Sequence, residues 1–161
     1  MPSHLDMKGV KSLKGRLRGL EVRKVKWGYF EGQHSSAGMS YAALANLLEE
    51  GTRSSSGGYG IPPRPAFKDS LQSVKHNRSG FERALQGRMS SFVRGVESSP
   101  AGVHNLSGTY LKNRYQDSMD FWIMGGSQYQ HNAPRTVALK GKDKPFDETG
   151  ELIRNATFRV V

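Results

Sequence analysis

Residues able to carry acid–base or metal chemistry are scattered along this chain of 161 residues. The histidines are His4, His34, His76, His104 and His131. None has another histidine four positions away, the spacing that places two imidazoles on one helix face for zinc. Asp117 and Asp120 lie three positions apart, which brings two carboxylates onto one helix face, but a solvated surface explains them better. We therefore predict no metal, no cofactor and no enzymatic activity.

The stretch SSSGGYG, residues 54–60, is glycine-rich enough to suggest a phosphate-binding loop. Such a loop also needs a preceding strand and a following lysine-Ser/Thr pair, and no such pair follows here. The three serines also lack the GxSxG frame that exposes a nucleophile. We interpret residues 52–60 as a flexible loop.

Positive charge is concentrated near the N-terminus, where residues 1–26 hold eight Lys or Arg against Asp6 and Glu21. A basic helix there would bind nucleic acid in a salt-dependent way. However, aromatic residues are not interleaved at stacking spacing, and no nucleic-acid-binding motif is present. A basic helix touching acidic protein neighbours is an equally good interpretation. The candidate residues facing DNA or an acidic partner are Lys8, Lys11, Lys14, Arg16 and Arg18, with Lys140, Lys142 and Lys144 in a later loop.

Composition bounds the class of protein. The formal net charge of +10 indicates a polyanion or acidic protein surfaces as partners. Leu, Ile, Val and Phe make up only about a fifth of the residues, so part of the apolar surface is expected to be buried against partner copies. The absence of cysteine excludes disulfides and thiolate metal sites. No apolar run reaches the ~20 residues of a membrane span, and no signal peptide is recognisable. We therefore expect the protein to act in a cytoplasm or in a particle assembled there.

Hydrophobic periodicity predicts an α+β fold in one domain, 1–161, with a basic N-terminal helical segment over residues 1–21. Alternation around Trp27 predicts a half-buried strand within residues 22–30, in a small, mostly antiparallel sheet that also includes a final strand at 156–161. Helices pack on one face of that sheet. Ser40 is expected to cap a helix that ends at Gly51, with Gly51 in the left-handed region. Another helix is expected from about Leu106, ending at Gly125-Gly126.

Three prolines within four positions, in IPPRPAFKDSL, stiffen the chain just before a helix predicted to start near Ala66. That helix runs on toward Val93, and Asn77 and Gly80 are expected to divide it. Near the C-terminus, Thr149 is predicted to cap a short helix containing Leu152, with Glu151 favourable near its positive end. A turn that begins at Pro134 and a lysine-rich loop are expected before this helix.

These stretches in combination resemble a family of tailed-bacteriophage proteins. A strand VKWGYFEG precedes a helix SYAALANLLEEGT; the IPPRPAFKDSL element and the closing segment NAPRTVALKGKDKPFDETGELIRNATFRV follow. The order is similar to that of the tail-completion and neck family, also described as virion morphogenesis or minor tail proteins. The family's closing pattern is matched by Lys140, Gly141, Lys144, Pro145, Phe146, Thr149, Gly150 and Leu152. Ala66 stands where the family often has a bulky aromatic residue, with Phe67 one place on.

The resemblance implies a structural virion protein of the head–tail junction. Such a protein completes or caps the tail and joins it to the head as a homo-oligomeric ring, a hexamer in preference to a dodecamer. Its other partners would be neck, connector and tail-tube or terminator proteins, with genomic DNA in the channel. The candidate assembly interface comprises Pro62, Pro63, Arg64, Pro65, Phe67, Thr149, Gly150 and Leu152. The alternatives are a rigid intramolecular turn for the prolines, and a nucleic-acid-binding packaging or regulatory protein for the whole chain.

Overall fold

The structure, a computed structural model, describes residues 7–35, 37–53, 55, 57, 59–97, 99–124, 131–132, 134–141, 143 and 150–161. The side chains of Met7, Tyr59, Arg135 and Lys140 lie outside that description. The chain is α+β, as predicted. Its described elements are α1 (Met7–Glu21), β1 (Val25–Gly28), α2 (Tyr41–Glu50), β2 (Thr52–Arg53), β3 (Tyr59–Ile61), α3 (Ala66–His76), α4 (Ser79–Val93), α5 (Ala101–Ile123), α6 (Pro134–Lys140), α7 (Glu151–Asn155) and β4 (Thr157–Val160).

The first and last strands, β1 and β4, pair in a two-stranded sheet. Just beyond them, Lys24 and Val161 exchange backbone hydrogen bonds, with N···O distances of 2.6 and 2.8 Å. Such an exchange is the hydrogen-bonded pair of an antiparallel ladder. The sheet therefore joins the two segments that were predicted to form it, 22–30 and 156–161.

The chain forms two compact units, each built from segments distant in sequence. The first unit comprises Met1–Lys26 (described from Met7), Asn77–Tyr110 and Arg159–Val161. The second comprises Trp27–His76 and Leu111–Phe158.

The first unit holds the basic helix α1 against α4. Phe92 of α4 is fully buried, and Phe81 stacks on Tyr110 with ring centroids 4.3 Å apart. His104 of α5 is buried, and its ring nitrogens lie 2.8 Å from the Pro100 carbonyl oxygen and 3.3 Å from that of Leu20. This packing sustains α1 although its glycines disfavour an isolated helix.

The second unit contains the main apolar core. Its buried members come from α2, α3, α5, α7 and the residue after α7; they are Tyr41, Ala66, Tyr115, Met119, Trp122, Leu152 and Ala156. Trp27 of β1 packs against this core and stacks on Phe67 of α3, with centroids 5.3 Å apart. Half-buried and exposed residues alternate along β1, and this places the Trp27 indole on the core side, as the sequence pattern indicated.

Two local predictions differ from the structure. The ends of the segment 52–60, expected to be a loop, pair as the antiparallel strands β2 and β3, with Thr52 opposite Ile61 and Arg53 opposite Tyr59. The segment after Pro134, expected to be a turn, is the helix α6. Proline is well suited to the first helical position, because its missing N–H would have no partner there. In the described part of the chain, no helix has the length and apolar character needed to cross a membrane.

Candidate functional site

The proline segment delivers a buried arginine to the second unit. Arg64 is only 3% exposed, and its backbone N–H donates to the Leu48 carbonyl oxygen at 2.7 Å. Its Nη2 donates to Asn132 Oδ1 at 2.7 Å, and the Asn132 N–H donates to Asp143 Oδ1 at 2.6 Å. A buried guanidinium must be hydrogen-bonded to offset its desolvation. The prolines on either side therefore fix a backbone that ties the end of α2 to the segment before α7.

Glu49 of α2 caps the start of α3. Its two carboxylate oxygens accept hydrogen bonds from the backbone N–H groups of Phe67 and Lys68, each at 2.9 Å. These N–H groups have no partner inside the helix, and a negative charge is favourable at the positive end of the helix dipole. Burial raises the pKa of Glu49, and the two backbone hydrogen bonds counteract this only in part.

Glu151, the first residue of α7, holds the loop that follows β1. Its carboxylate accepts hydrogen bonds from the Ser35 hydroxyl, from the Ser35 N–H at 3.0 Å and from the Tyr41 hydroxyl at 3.2 Å. The Ser35 bonds lower the pKa of Glu151 to about 2. Burial, followed by the bond to Glu151, raises the pKa of Tyr41. An ionised carboxylate with several donors is a strong acceptor, so this contact fastens the loop to α7.

Aromatic side chains connect these contacts through the core. The half-buried Tyr29 donates its hydroxyl to the Leu152 carbonyl oxygen at 2.7 Å, and its ring lies 6.0 Å from the rings of both Tyr41 and Tyr115. Tyr115 also meets Phe67 edge to face at 5.5 Å. Burial raises the pKa of Tyr29, and it raises that of Tyr115 to about 12. Both phenols therefore stay neutral at physiological pH and act as hydrogen-bonding groups.

We name the set Tyr29, Ser35, Tyr41, Glu49, Arg64, Phe67 and Glu151 the motif cluster. The cluster brings together the four stretches on which the phage-protein resemblance depends. Its polar contacts join backbone groups of separate segments, which is an arrangement that fixes geometry. It contains carboxylates and hydroxyls, but the carboxylates are occupied by backbone and hydroxyl donors. In the residues described, no group of three or more His, Asp or Glu is placed to hold a metal ion.

The predicted interface residues fall into three environments. Arg64 and Leu152 are buried, so both side chains are used inside the second unit. Pro62, Pro63, Pro65 and Phe67 are half-buried and retain some surface. Gly150, with φ of 67°, occupies the N-cap position of α7 that was predicted for Thr149, which lies outside the described residues. A role for these residues in subunit contacts stays a prediction.

The predicted basic residues are also divided. Lys8, Lys11, Lys14 and Arg18 are exposed along α1. Arg16 differs, because it is half-buried and its guanidinium lies against Gly95. Lys140 is the last residue of α6, so it ends a helix instead of starting a loop. Lys142 and Lys144 lie outside the described residues.

Sequence reasoning missed Glu49, Ser35 and the Asn132–Asp143 partner of Arg64. Glu49 stands in a Glu-Glu pair at a helix end, and nothing local distinguishes it from the exposed Glu50. An isolated arginine between two prolines was the one available signal for Arg64, since a side chain held by such stiff backbone has a defined direction.

Comparison of the chain with models of known protein families, with curated proteins and with solved structures gives no match.

Proposed function

We propose that this chain is a structural virion protein of the phage head–tail junction. It would complete or cap the tail and join it to the head as a homo-oligomeric ring, a hexamer in preference to a dodecamer. It would act without enzymatic activity or a cofactor, beside neck, connector and tail-tube or terminator proteins. It would be assembled into virions in the cytoplasm of a bacterial host.

The observation that carries the proposal is the convergence of the four stretches that resemble the neck family. Tyr29 from the strand segment contacts Leu152 from the closing segment. Glu49 at the end of the alanine-rich helix caps the helix that follows the prolines. Glu151 from the closing segment accepts from Ser35 and Tyr41. Stretches far apart in sequence thus form one packed unit, which supports treating them as a single pattern and not as separate coincidences.

Purified virions test the proposal directly. Particles banded on a density gradient should retain the chain in a fixed number of copies, measured by quantitative mass spectrometry. Removal of the gene should yield filled heads and separate tails under the electron microscope. Loss of the chain from purified particles, or joined particles in its absence, would contradict the proposal.

A second candidate function is a nucleic-acid-binding packaging or regulatory protein. The observation that favours it is the exposure of Lys8, Lys11, Lys14 and Arg18 on α1. A helix that neutralises several phosphates loses affinity steeply as salt rises. This candidate predicts salt-dependent DNA binding by the purified protein together with absence from purified virions, so the same particle preparation separates the two functions.

A further inference from the structure

The second half of α5 is apolar on two opposite sides. Tyr115, Met119 and Trp122 are buried on its inner side. On the other side, Phe121 is 52% exposed and Met124, which continues the helical hydrogen bonding through the Asp120 carbonyl oxygen, is 84% exposed. A helix that is apolar on both sides is typical of one covered on both sides. The outer side of α5 is therefore a face without a covering element among the described residues.

Two carboxylates share that outer face. Asp117 and Asp120 are exposed and fall with Phe121 and Met124 in a band about 100° wide on the helix. Asp117 also lies 3.6 Å from Arg114 Nη1, in the kind of exposed ion pair that contributes little to stability. We name these four residues the acidic stripe. An open groove of about 420 Å³ runs beside it, between α3 and α5, and Asp69, Asp117 and Phe121 are among its lining residues. A helix that brings both apolar side chains and positive charge would complement this stripe.

The basic helix α1 carries the complementary pattern. Val10 is 45% exposed and Leu17 is 39% exposed, while Lys14 and Arg18 are exposed beside them. These four residues also fall in a band about 100° wide, and they span roughly 12 Å of helix. We name them the basic stripe. Each stripe thus consists of two large apolar side chains and two charges, with opposite signs in α1 and α5.

We infer that α1 of one copy docks its basic stripe on the acidic stripe of a second copy. The local charges favour this occupant, because Lys14 and Arg18 of the basic stripe are opposite in sign to Asp117 and Asp120 of the acidic stripe. A contact between two different surfaces of identical copies is head-to-tail, and it produces a closed ring when the rotation closes. The inference rests on the proposed function for its place in the virion, whereas the contact itself concerns the purified protein.

The contact is expected to be weak in isolation. A single helix pair of this length buries less than the ~800 Å² per partner of a standard interface. Its charged part is screened over about 8 Å at physiological salt. Association should therefore rise with protein concentration and fall as salt is added, which sedimentation velocity and mass photometry measure.

Charge reversal in both stripes tests the contact. Asp117→Lys/Asp120→Lys makes both stripes basic, and Lys14→Glu/Arg18→Glu makes both acidic. Each variant alone should associate at least about tenfold more weakly than wild type, because like charges meet. An equal mixture of the two should regain association, since each copy then offers a stripe of opposite sign to the other. The variant with all four changes should also self-associate.

The control for Lys14→Glu/Arg18→Glu is Arg53→Glu/Arg83→Glu, which makes the same change in net charge at exposed positions outside both stripes. It should associate as wild type does, and thermal unfolding of every variant verifies the fold. A monomeric wild type at low salt, an equal loss in the control, or a mixture that stays dissociated would each overturn the inference. The two double variants could also lose thermal stability that the fourfold variant regains, while their mixture stays dissociated. That result would show a contact between the stripes within one chain and would also overturn the inference. None of these results bears on whether the chain is retained in virions, so the proposed function is judged separately.

Discussion

Glu151 shows how a single carboxylate organises the second unit. Its donors come from Ser35 and Tyr41, more than one hundred positions earlier in the chain, so it closes a very long loop. Its ionised form is favoured by these donors, which is why its pKa falls to about 2 from an ordinary value of 4.5. The free energy of unfolding must then depend on pH through this residue.

The expected pH dependence has a defined sign. Since the pKa of Glu151 is lower in the folded than in the unfolded chain, its stabilisation is fully present above about pH 4.5 and is lost as pH falls toward about 2. Glu151→Gln should lower the free energy of unfolding at pH 7. The difference in this free energy between wild type and variant should be smaller near pH 3. Urea unfolding at both pH values measures this. A gap of equal size at pH 7 and pH 3 would show that the ionised form is not what the fold uses.

At the scale of elements, α3 starts where it does because two structures outside it prepare its first turn. The prolines set the backbone direction, and Glu49 of α2 supplies the acceptors for the first N–H groups. The cap therefore couples the formation of α3 to the position of α2.

Removal of this cap gives a prediction with a neighbouring control. Glu49→Ala should lower the free energy of unfolding by about 1 kcal/mol, within the usual range for a lost helix cap. Glu50→Ala changes the adjacent, exposed carboxylate and should leave stability almost unchanged. Chemical denaturation of both variants makes the comparison. If Glu50→Ala lowers the free energy of unfolding as much as Glu49→Ala does, the decrease comes from helix propensity or net charge and not from loss of the cap.

The end of α2 depends on Gly51. Its φ is 71°, and a Cβ atom there would lie 2.5 Å from the Ile61 carbonyl oxygen and 2.7 Å from the Pro63 nitrogen. The ψ of −176° places it outside the left-handed helical region that the sequence predicted, although the positive φ was anticipated. The close approach to Ile61 and Pro63 lets the chain turn directly into the proline segment.

Gly51→Ala should therefore destabilise the protein by more than the strain of positive φ alone, which is about 1–3 kcal/mol. Gly57→Ala is the matched control, because Gly57 has φ of 92° and open space where its Cβ would lie. Thermal or urea unfolding of the two variants separates the steric contribution from the conformational one. Equal losses would mean that the backbone near Ile61 moves aside without cost.

For the whole molecule, function is expected to depend on surface charge more than on the core. We predict that Lys140→Glu/Lys142→Glu/Lys144→Glu leaves the subunit folded but impairs head–tail joining, because this positive segment would face DNA or an acidic partner ring. Circular dichroism monitors the fold, and electron microscopy counts joined and separate particles.

The control for the lysine variant is Arg53→Glu/Lys75→Glu/Arg83→Glu, which makes the same change in charge at exposed positions elsewhere. Wild-type numbers of joined, infectious particles from the lysine variant would refute the prediction. An equal defect in the control would assign the effect to net charge in general.

The sequence by itself determined the elements whose signals are local. Hydrophobic periodicity predicted α1, and Ser40 predicted the start of α2. The Ser40 cap is confirmed, because its hydroxyl accepts from the Ala43 N–H at 3.2 Å. Both depend on neighbours within one or two helical turns. The α+β class, and a sheet that contains the first and last strands, also followed from such patterns.

Tertiary structure decided what depends on partners distant in sequence. Glu49 and Glu50 are equivalent locally, and only the position of α3 makes one of them a cap. The sequence placed Arg64 on a stiff segment without indicating its partner, and the hydrogen bond to Asn132 exists only in the folded chain. The strands β2 and β3 stabilise each other across a turn, although neither carries a clear strand pattern. Hydrogen bonds between remote segments, and the burial of side chains by those segments, arise only in the folded chain, so local periodicity does not predict them.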